Sequence, residues 1–230
     1  MPTKSPSSIA ERLNTAQMAV ANSLAEAEIQ SLVAAYGYPA GKLNEGKALY
    51  ERALAAVNAQ KSAVGAQQQA TQELNQAEKS ARDAYQSLAK VARAVFKNDK
   101  PRLTALGLTG TVPLSTAGFL ASASALFQNA ADVPSLADYG YDAARLESER
   151  AKITAFGSAD GRQEAAKGAA QQATREQEAA LRLLDAWRAQ YLKIARVALR
   201  EKPQLLEKIG VAARTSKTSA QRNPKKKAAA

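Results

Sequence analysis

Small and apolar residues recur every seven positions along a proline-free stretch from Leu43 to Val95. The recurring residues form two series, Leu43, Tyr50, Val57, Val64, Thr71, Glu78, Tyr85 and Ala92, and Ala53, Gln60, Gln67, Leu74, Ala81, Leu88 and Val95. A seven-residue repeat without a phase slip is typical of a helix that packs against another helix. The pattern therefore predicts one long helix. Its seam is apolar at both ends, whereas the middle, residues 64–71, is small and polar and should bury little.

The pattern returns 103 positions later, between Leu146 and Ala198. Residues 36–38, Tyr-Gly-Tyr, recur at 139–141, and the Gln-Gln-Ala-Thr sequence of 68–71 recurs at 171–174. Matches that keep one offset and one order indicate an internal duplication, with copies at about 8–110 and 111–211. Glycine-containing residues 157–161 interrupt the second long helix. A kink or bulge is the favoured interpretation of this interruption, and a hairpin is the alternative.

Shorter helices are expected before each long helix. Ser8 with Glu11 predicts a capped first helix that runs to about Tyr36, and Thr116 is expected to cap its counterpart. Each shorter helix covers only about half of its long neighbour, so the rest must pack against the other copy or another molecule. We therefore predict an all-α, elongated helical bundle with two long helices.

Composition supports helices and narrows the possible chemistry. Aromatic residues make up 5% of the chain, there are 12 glycines and 8 prolines, and cysteine and histidine are both absent. Thiol and imidazole nucleophiles, soft metal sites and the Glu-x-x-His motif of bundle di-metal centres are therefore excluded. We expect no catalytic residues, no cofactor and no bound zinc, iron or copper.

The net charge is +11, and six of the cations lie in the last residues of the chain. These cations are Arg214, Lys217, Arg222, Lys225, Lys226 and Lys227. Residues 212–230 contain no acid and are predicted to be a disordered basic tail. Such a tail binds nucleic acid through phosphate contacts without reading sequence, or serves only as a solubilising end.

Two cation pairs recur with the duplication, Lys90 with Arg93 and Lys193 with Arg196. Residues three apart share one helix face, so each pair is a candidate anion-binding site. A solvated face, or cations that cap carbonyl groups near the helix end, is the alternative.

Aromatic residues give two further candidates. The repeated Tyr-Gly-Tyr predicts a helix that ends in a left-handed glycine with aromatics packing back onto it, with a paired aromatic ligand site as the alternative. Trp187 and Tyr191 lie one turn apart and are expected to pack in the core.

Neither a membrane span nor a signal peptide is expected. No run approaches the ~18 apolar residues that a span requires, and the first residues lack an apolar run. The expected location is the cytoplasm.

Several short segments resemble a group of bacterial all-helical proteins without an assigned function. They comprise residues 106–110 (Leu-Gly-Leu-Thr-Gly), 116–120 (Thr-Ala-Gly-Phe-Leu), 139–141, 165–168 and 172–174. The resemblance covers most of the chain apart from the tail, and it implies the helical fold without implying an activity.

The sequence thus predicts a non-enzymatic helical interaction or scaffold protein, with a protein partner or self-association. The alternative is a nucleoid-type protein that binds nucleic acid through its tail.

Overall fold

The computed structural model describes residues 8–211, which are helical and contain no strand. The helices are α1 (Ile9–Ala25), α2 (Ala27–Ala34), α3 (Ala40–Val95), α4 (Lys100–Ala105), α5 (Thr116–Ala131), α6 (Ala143–Ala198) and α7 (Pro203–Lys208), with a 3₁₀ helix at Pro134–Tyr139. The predicted all-α class with two long helices is confirmed, since α3 and α6 each contain 56 residues. Within the described residues, no helix has the length and apolarity to cross a bilayer.

The starts of the shorter helices follow their capping residues. The Ser8 side chain accepts from the Glu11 backbone and the Glu11 carboxylate accepts from the Ser8 backbone, which confirms the predicted capping box. In α5 the cap is Ser115, whose Oγ accepts from the Gly118 amide at 3.2 Å. The prediction of Thr116 as the cap was wrong by one residue.

The expected single helix from Ser8 to about Tyr36 is divided in two at Glu26. This residue adopts an extended conformation with φ −100° and ψ 108°, so α1 ends before it and α2 begins after it. Residues at the break contact α7. Glu26 pairs with Lys208 at 2.5 Å, and the Asn22 side-chain amide donates to the Lys208 carbonyl. Neither glycine nor proline marks the break, which explains why the sequence did not reveal it.

Residues 157–161 continue the α-helix without interruption, so the predicted interruption and the hairpin alternative are both wrong. Leu120 of α5 lies against Gly157, where an added Cβ would be in ordinary contact with the leucine methyl groups at 3.6 and 3.8 Å.

The chain divides into two compact units, and both boundaries fall inside the long helices. Among the described residues, unit 1 holds 8–60 together with 173–211, and unit 2 holds Lys61–Gln172. Each unit therefore contains part of α3 and part of α6, and each has its own hydrophobic core.

The core of unit 1 is organised around Trp187 of α6. Its ring stacks on Tyr191 at a centroid distance of 5.1 Å and meets Tyr38 edge-on at 6.3 Å. The indole also lies directly against Gly46 of α3, where a side chain would overlap it. The Tyr191 ring is fully buried, and its hydroxyl hydrogen-bonds to Ser23 of α1.

A polar cluster also joins α1 to α6. The Arg12 guanidinium pairs with Asp185 at 2.5 Å, and Arg188 contacts both Asp185 and the Thr15 hydroxyl. These groups are only partly exposed, so the ion pairs work in a partly desolvated environment, where charge pairs are stronger than at a free surface.

The core of unit 2 joins the C-terminal part of α3 to α5 and to the N-terminal part of α6. Tyr85, Phe119 and Phe156 form a chain of ring contacts with centroid distances of 5.6 and 6.0 Å. Leu88, Leu126 and Ile153 are almost fully buried around them.

The predicted heptad seam of α3 is confirmed. Every member of both series is buried or half-buried, including polar Gln60, Gln67 and Glu78. No residue of α3 between Val57 and Ala81 is fully buried, as the small, polar middle predicted.

Gly46→Ala should destabilise the protein despite the higher helix propensity of alanine. The new Cβ would lie 2.5 Å from Cε2 of Trp187 and nearer still to two other ring atoms. Overpacking of this kind costs about 1–3 kcal/mol. Urea unfolding followed by circular dichroism should show the lower free energy of unfolding.

Gly65→Ala is the matched control, because this helical glycine has no atom within 4 Å of an added Cβ. It should raise the free energy of unfolding by about 0.5–1 kcal/mol. When Trp187→Ala is combined with Gly46→Ala, the loss in the free energy of unfolding should be smaller than the sum of the two single losses. Full additivity would mean that the indole does not limit the approach of α3.

Candidate functional site

The four body cations predicted as anion ligands divide between the two units. Lys90 and Arg93 lie near the C-terminal end of α3 in unit 2, and Lys193 and Arg196 lie on α6 in unit 1. All four residues are exposed. The six tail cations, Arg214, Lys217, Arg222, Lys225, Lys226 and Lys227, lie outside the described residues.

Lys90 and Arg93 open onto a cleft of about 240 Å³. Its remaining lining residues come from α3, from the segment before α5 and from α5 itself: Arg82, Tyr85, Gln86, Ala89, Val112 and Phe119. The α3 residues 82, 86, 90 and 93 follow the spacing of one helix face. The cleft therefore combines a polar, cationic helix face with a wall that contains Val112 and Phe119.

The positive charge of this cleft is only partly neutralised. The Arg82 guanidinium pairs with Glu78 at 2.7 Å and lies 4.6 Å from the Phe119 ring centroid. Lys90 and Arg93 have no acidic partner within residues 8–211, and no carboxylate lines the cleft. Asp83, the other nearby acid, lines an adjoining groove instead. Two cations therefore remain available to an anion.

Arg93 also contacts the segment that follows α4. Its Nη2 donates a long hydrogen bond of 3.4 Å to the Leu108 carbonyl. This contact resembles the carbonyl cap considered as an alternative, although the carbonyl belongs to the segment after α4 rather than to the end of α3. One long bond leaves most of the guanidinium donors free.

Tyr85 is the buried polar group of the cleft. Burial raises the pKa of its phenol above the ordinary value of 10.0, and the positive charge of Arg93 opposes part of that rise. The hydroxyl therefore stays protonated at neutral pH as a hydrogen-bond donor beside the Arg93 charge.

The second cation pair has different neighbours. The residue 103 positions after Arg82 is Asp185, which is engaged by Arg12 and Arg188, and the one 103 positions after Tyr85 is Arg188 itself. Because the surroundings differ, the repeated Lys-x-x-Arg does not create two equivalent sites.

Lys193 and Arg196 instead belong to an exposed face of α6, which we call the α6 face and define as Arg182, Leu183, Lys193, Arg196 and Val197. The side chains of Leu183 and Val197 are 48% and 49% exposed. The three cations have no acidic partner within the described residues. Half-buried Trp187 and Ile194 lie beside this face.

The two Tyr-Gly-Tyr motifs are structural turns. Gly37 and Gly140 adopt positive φ values of 81° and 80°, which confirms the predicted left-handed glycines. In each motif the second tyrosine is buried and the first is exposed, so only Tyr38 and Tyr141 pack back. The expected core role of Trp187 and Tyr191 is also confirmed, since both belong to the unit 1 core.

Within the part of the chain that the structure covers, no three carboxylates come together in a way that could hold a metal ion. Ion pairs occupy several of the acids, including Glu78, Glu149 and Asp185.

Two cleft residues, Lys90 and Arg93, were predicted from the sequence, whereas Arg82, Gln86 and Tyr85 were not predicted as site residues. Gln86 and Arg82 lie four and eight residues before Lys90, a spacing that would have placed both of them on the same helix face as Lys90. Val112 and Phe119 carried no such signal, because only the fold brings α5 to α3.

No protein-family model, no curated protein and no solved structure matches the chain.

Arg93→Gln should raise the pKa of Tyr85 further, because it removes the nearby positive charge that favours the phenolate. Ring-carbon NMR of labelled tyrosine, followed with pH, would measure the shift. Arg196→Gln is the control and should leave Tyr85 unchanged. An equal pKa in wild type and Arg93→Gln would contradict the placement of Arg93 beside the phenol.

The same shift has a consequence for stability. The folded pKa of Tyr85 lies above the unfolded value, so its contribution to stability is complete below pH 10 and is lost as the pH rises through the folded pKa. In Arg93→Gln the folded pKa of Tyr85 is higher, so the loss of its contribution to stability should extend to a higher pH.

Proposed function

We propose that the protein is a non-enzymatic helical interaction protein and that the α6 face binds its partner. The observation that carries the proposal is the half-exposure of Leu183 and Val197 next to three cations without acidic partners. Leu183 and Val197 are two heptads apart, as are Arg182 and Arg196, so the apolar and basic rows run parallel along the helix.

The partner that fits this surface is an acidic amphipathic helix. Its apolar row would cover Leu183, Val197 and the exposed edge of Trp187, while its carboxylates would meet Arg182, Lys193 and Arg196. A second copy fits less well, because a symmetric contact between two such faces would bring the basic rows together.

The test is binding of a labelled three-heptad peptide with leucine at positions a and d and glutamate at e and g. Fluorescence anisotropy should detect binding to the full chain that weakens as salt rises. Leu183→Glu combined with Val197→Glu should weaken binding at least about tenfold, because carboxylates would replace the apolar contacts. Both positions are exposed, so the fold should be retained.

Ser80→Glu with Ala94→Glu is the matched control. It adds the same charges 103 positions earlier, at exposed residues of α3, and should leave peptide binding unchanged. The proposal fails if both double variants lose binding equally, or if a peptide with lysine in place of glutamate binds as well. Sedimentation showing a dimer that only the α6 variant disrupts would assign the face to a second copy.

The alternative function, sequence-independent nucleic-acid binding through the tail, is favoured by six cations and no acid in residues 212–230. Phosphate contacts by Lys and Arg in an acid-free segment release counterions and give strongly salt-dependent affinity. Capture from a native lysate with and without nuclease would separate nucleic acid from protein partners.

If the tail binds duplex DNA, the log–log dependence of affinity on salt should be no steeper than about −5, because six cations neutralise at most six phosphates. Deletion of residues 213–230 should abolish a mobility shift that does not depend on DNA sequence. A shift that survives the deletion would move the contacts to Lys90, Arg93, Lys193 and Arg196. Absence of a shift at low salt would exclude the tail as a nucleic-acid arm.

We also propose that the chain arose by duplication of one helical copy and acts in the cytoplasm. The duplication is supported by the constant offset of 103 residues and by the equal lengths of α3 and α6. The short helices α4 and α7, of six residues each, follow the long helices at the same interval.

A further inference from the structure

We propose that the cleft of unit 2 binds the phosphate group of a small phosphate monoester. This site lies apart in the sequence from the α6 face and does not depend on it. Lys90, Arg93, Gln86 and Tyr85 line the cleft. Their ammonium, guanidinium, amide and hydroxyl groups are the donors that we assign to the ligand.

The charge of the cleft matches a dianion. Arg82 is neutralised by Glu78, which leaves Lys90 and Arg93 as two uncompensated cations. They lie three residues apart on one face of α3, so both can reach one tetrahedral group. A phosphate monoester carries nearly two charges at pH 7, and arginine binds it with paired hydrogen bonds.

The wall of the cleft indicates what the phosphate is attached to. Val112 and Phe119 complete the lining of the cleft. Phe119 is almost fully buried, with Arg82 over its ring and the rings of Tyr85 and Phe156 in contact with it, so half-buried Val112 supplies the more accessible apolar surface. We place a compact apolar or aromatic group beside Val112. The volume of about 240 Å³ is smaller than the ~300 Å³ at which drug-sized pockets begin, which favours a small ligand.

The contrast with unit 1 supports a built site rather than general basicity. Lys193 and Arg196 have the same spacing, but the residue in the place of Arg82 is Asp185, and Ala16 stands 103 positions before Phe119. Substitution of this second pair therefore removes the same charge without touching the cleft.

Phenyl phosphate is the probe, used at pH 8, where it is a dianion, and at low salt with the full chain. Calorimetry should give saturable binding of one ligand. The backbone amide signals of Val112 and Phe119 should shift in NMR spectra during the titration. Lys90→Gln with Arg93→Gln should lower the affinity at least about tenfold, since charge-assisted hydrogen bonds are lost. Lys193→Gln with Arg196→Gln should change it less than about twofold.

Two further measurements test the geometry and the ligand class. Tyr85→Phe removes one hydroxyl while keeping the ring, and should weaken binding by a smaller factor than the double substitution. Dimethyl phosphate, a monoanionic diester, should bind at least about tenfold more weakly than the monoester.

The proposal is overturned by any of three results. The first is the absence of saturable binding by the wild-type protein. The second is an equal loss of affinity in the two double variants, which would mean that the general positive charge of the protein, and not the cleft, attracts the phosphate. The third is equal binding of the diester, which would assign the cleft to a nucleic-acid backbone. If the Lys90/Arg93 variant loses helical content, Arg93→Lys and Tyr85→Phe decide the matter, because unchanged affinity in both would place the phosphate elsewhere.

Discussion

The close packing of Trp187 against Gly46 is the contact on which the architecture of unit 1 depends. Only glycine at position 46 lets α3 approach α6 this closely at Trp187, because any Cβ would overlap the indole. The same ring stacks on Tyr191 and meets Tyr38, which enters the core through the left-handed turn at Gly37. One indole thus fixes α3, α6 and the end of α2. Further along, Ala53 and Val57 pack with Leu181 and Leu184, so the two helices run antiparallel here.

Directional polar contacts hold α1 on α6. Ser23 bonds to the buried Tyr191 hydroxyl, and Arg12 pairs with Asp185, so α1 is attached to α6 by directional polar contacts as well as by apolar packing. Removing one partner of such a contact leaves an unsatisfied group, which makes the register of α1 specific. Leu183 and Val197 of α6 remain half-exposed.

The long helices could be predicted from the sequence because their signal is local and repeated many times. Each member of the α3 series contributes evidence, and a polar residue such as Gln67 does not disturb the period. The break at Glu26 could not be predicted in this way, since Glu26 is compatible with a helix and its extended conformation accompanies contacts with Lys208, more than 180 residues away. The candidate cleft could be predicted only in part. Lys90 and Arg93 were found from their spacing, whereas Val112 and Phe119 join them only through the packing of α5.

Repetition in the sequence identified the cation pairs but did not determine their chemistry. Arg82 leaves the surroundings of Lys90 and Arg93 positive after its pairing with Glu78, whereas Asp185 engages Arg12 and Arg188 near the other pair. A similar difference separates Trp187 from Ala84, the residue 103 positions earlier, since the large ring requires a glycine at position 46. Few substitutions on one helix pattern therefore suffice to give α3 a cationic cleft and α6 an apolar and basic face. The backbone pattern specifies the bundle, and the side chains one or two turns from each motif specify the charge and polarity of its surface.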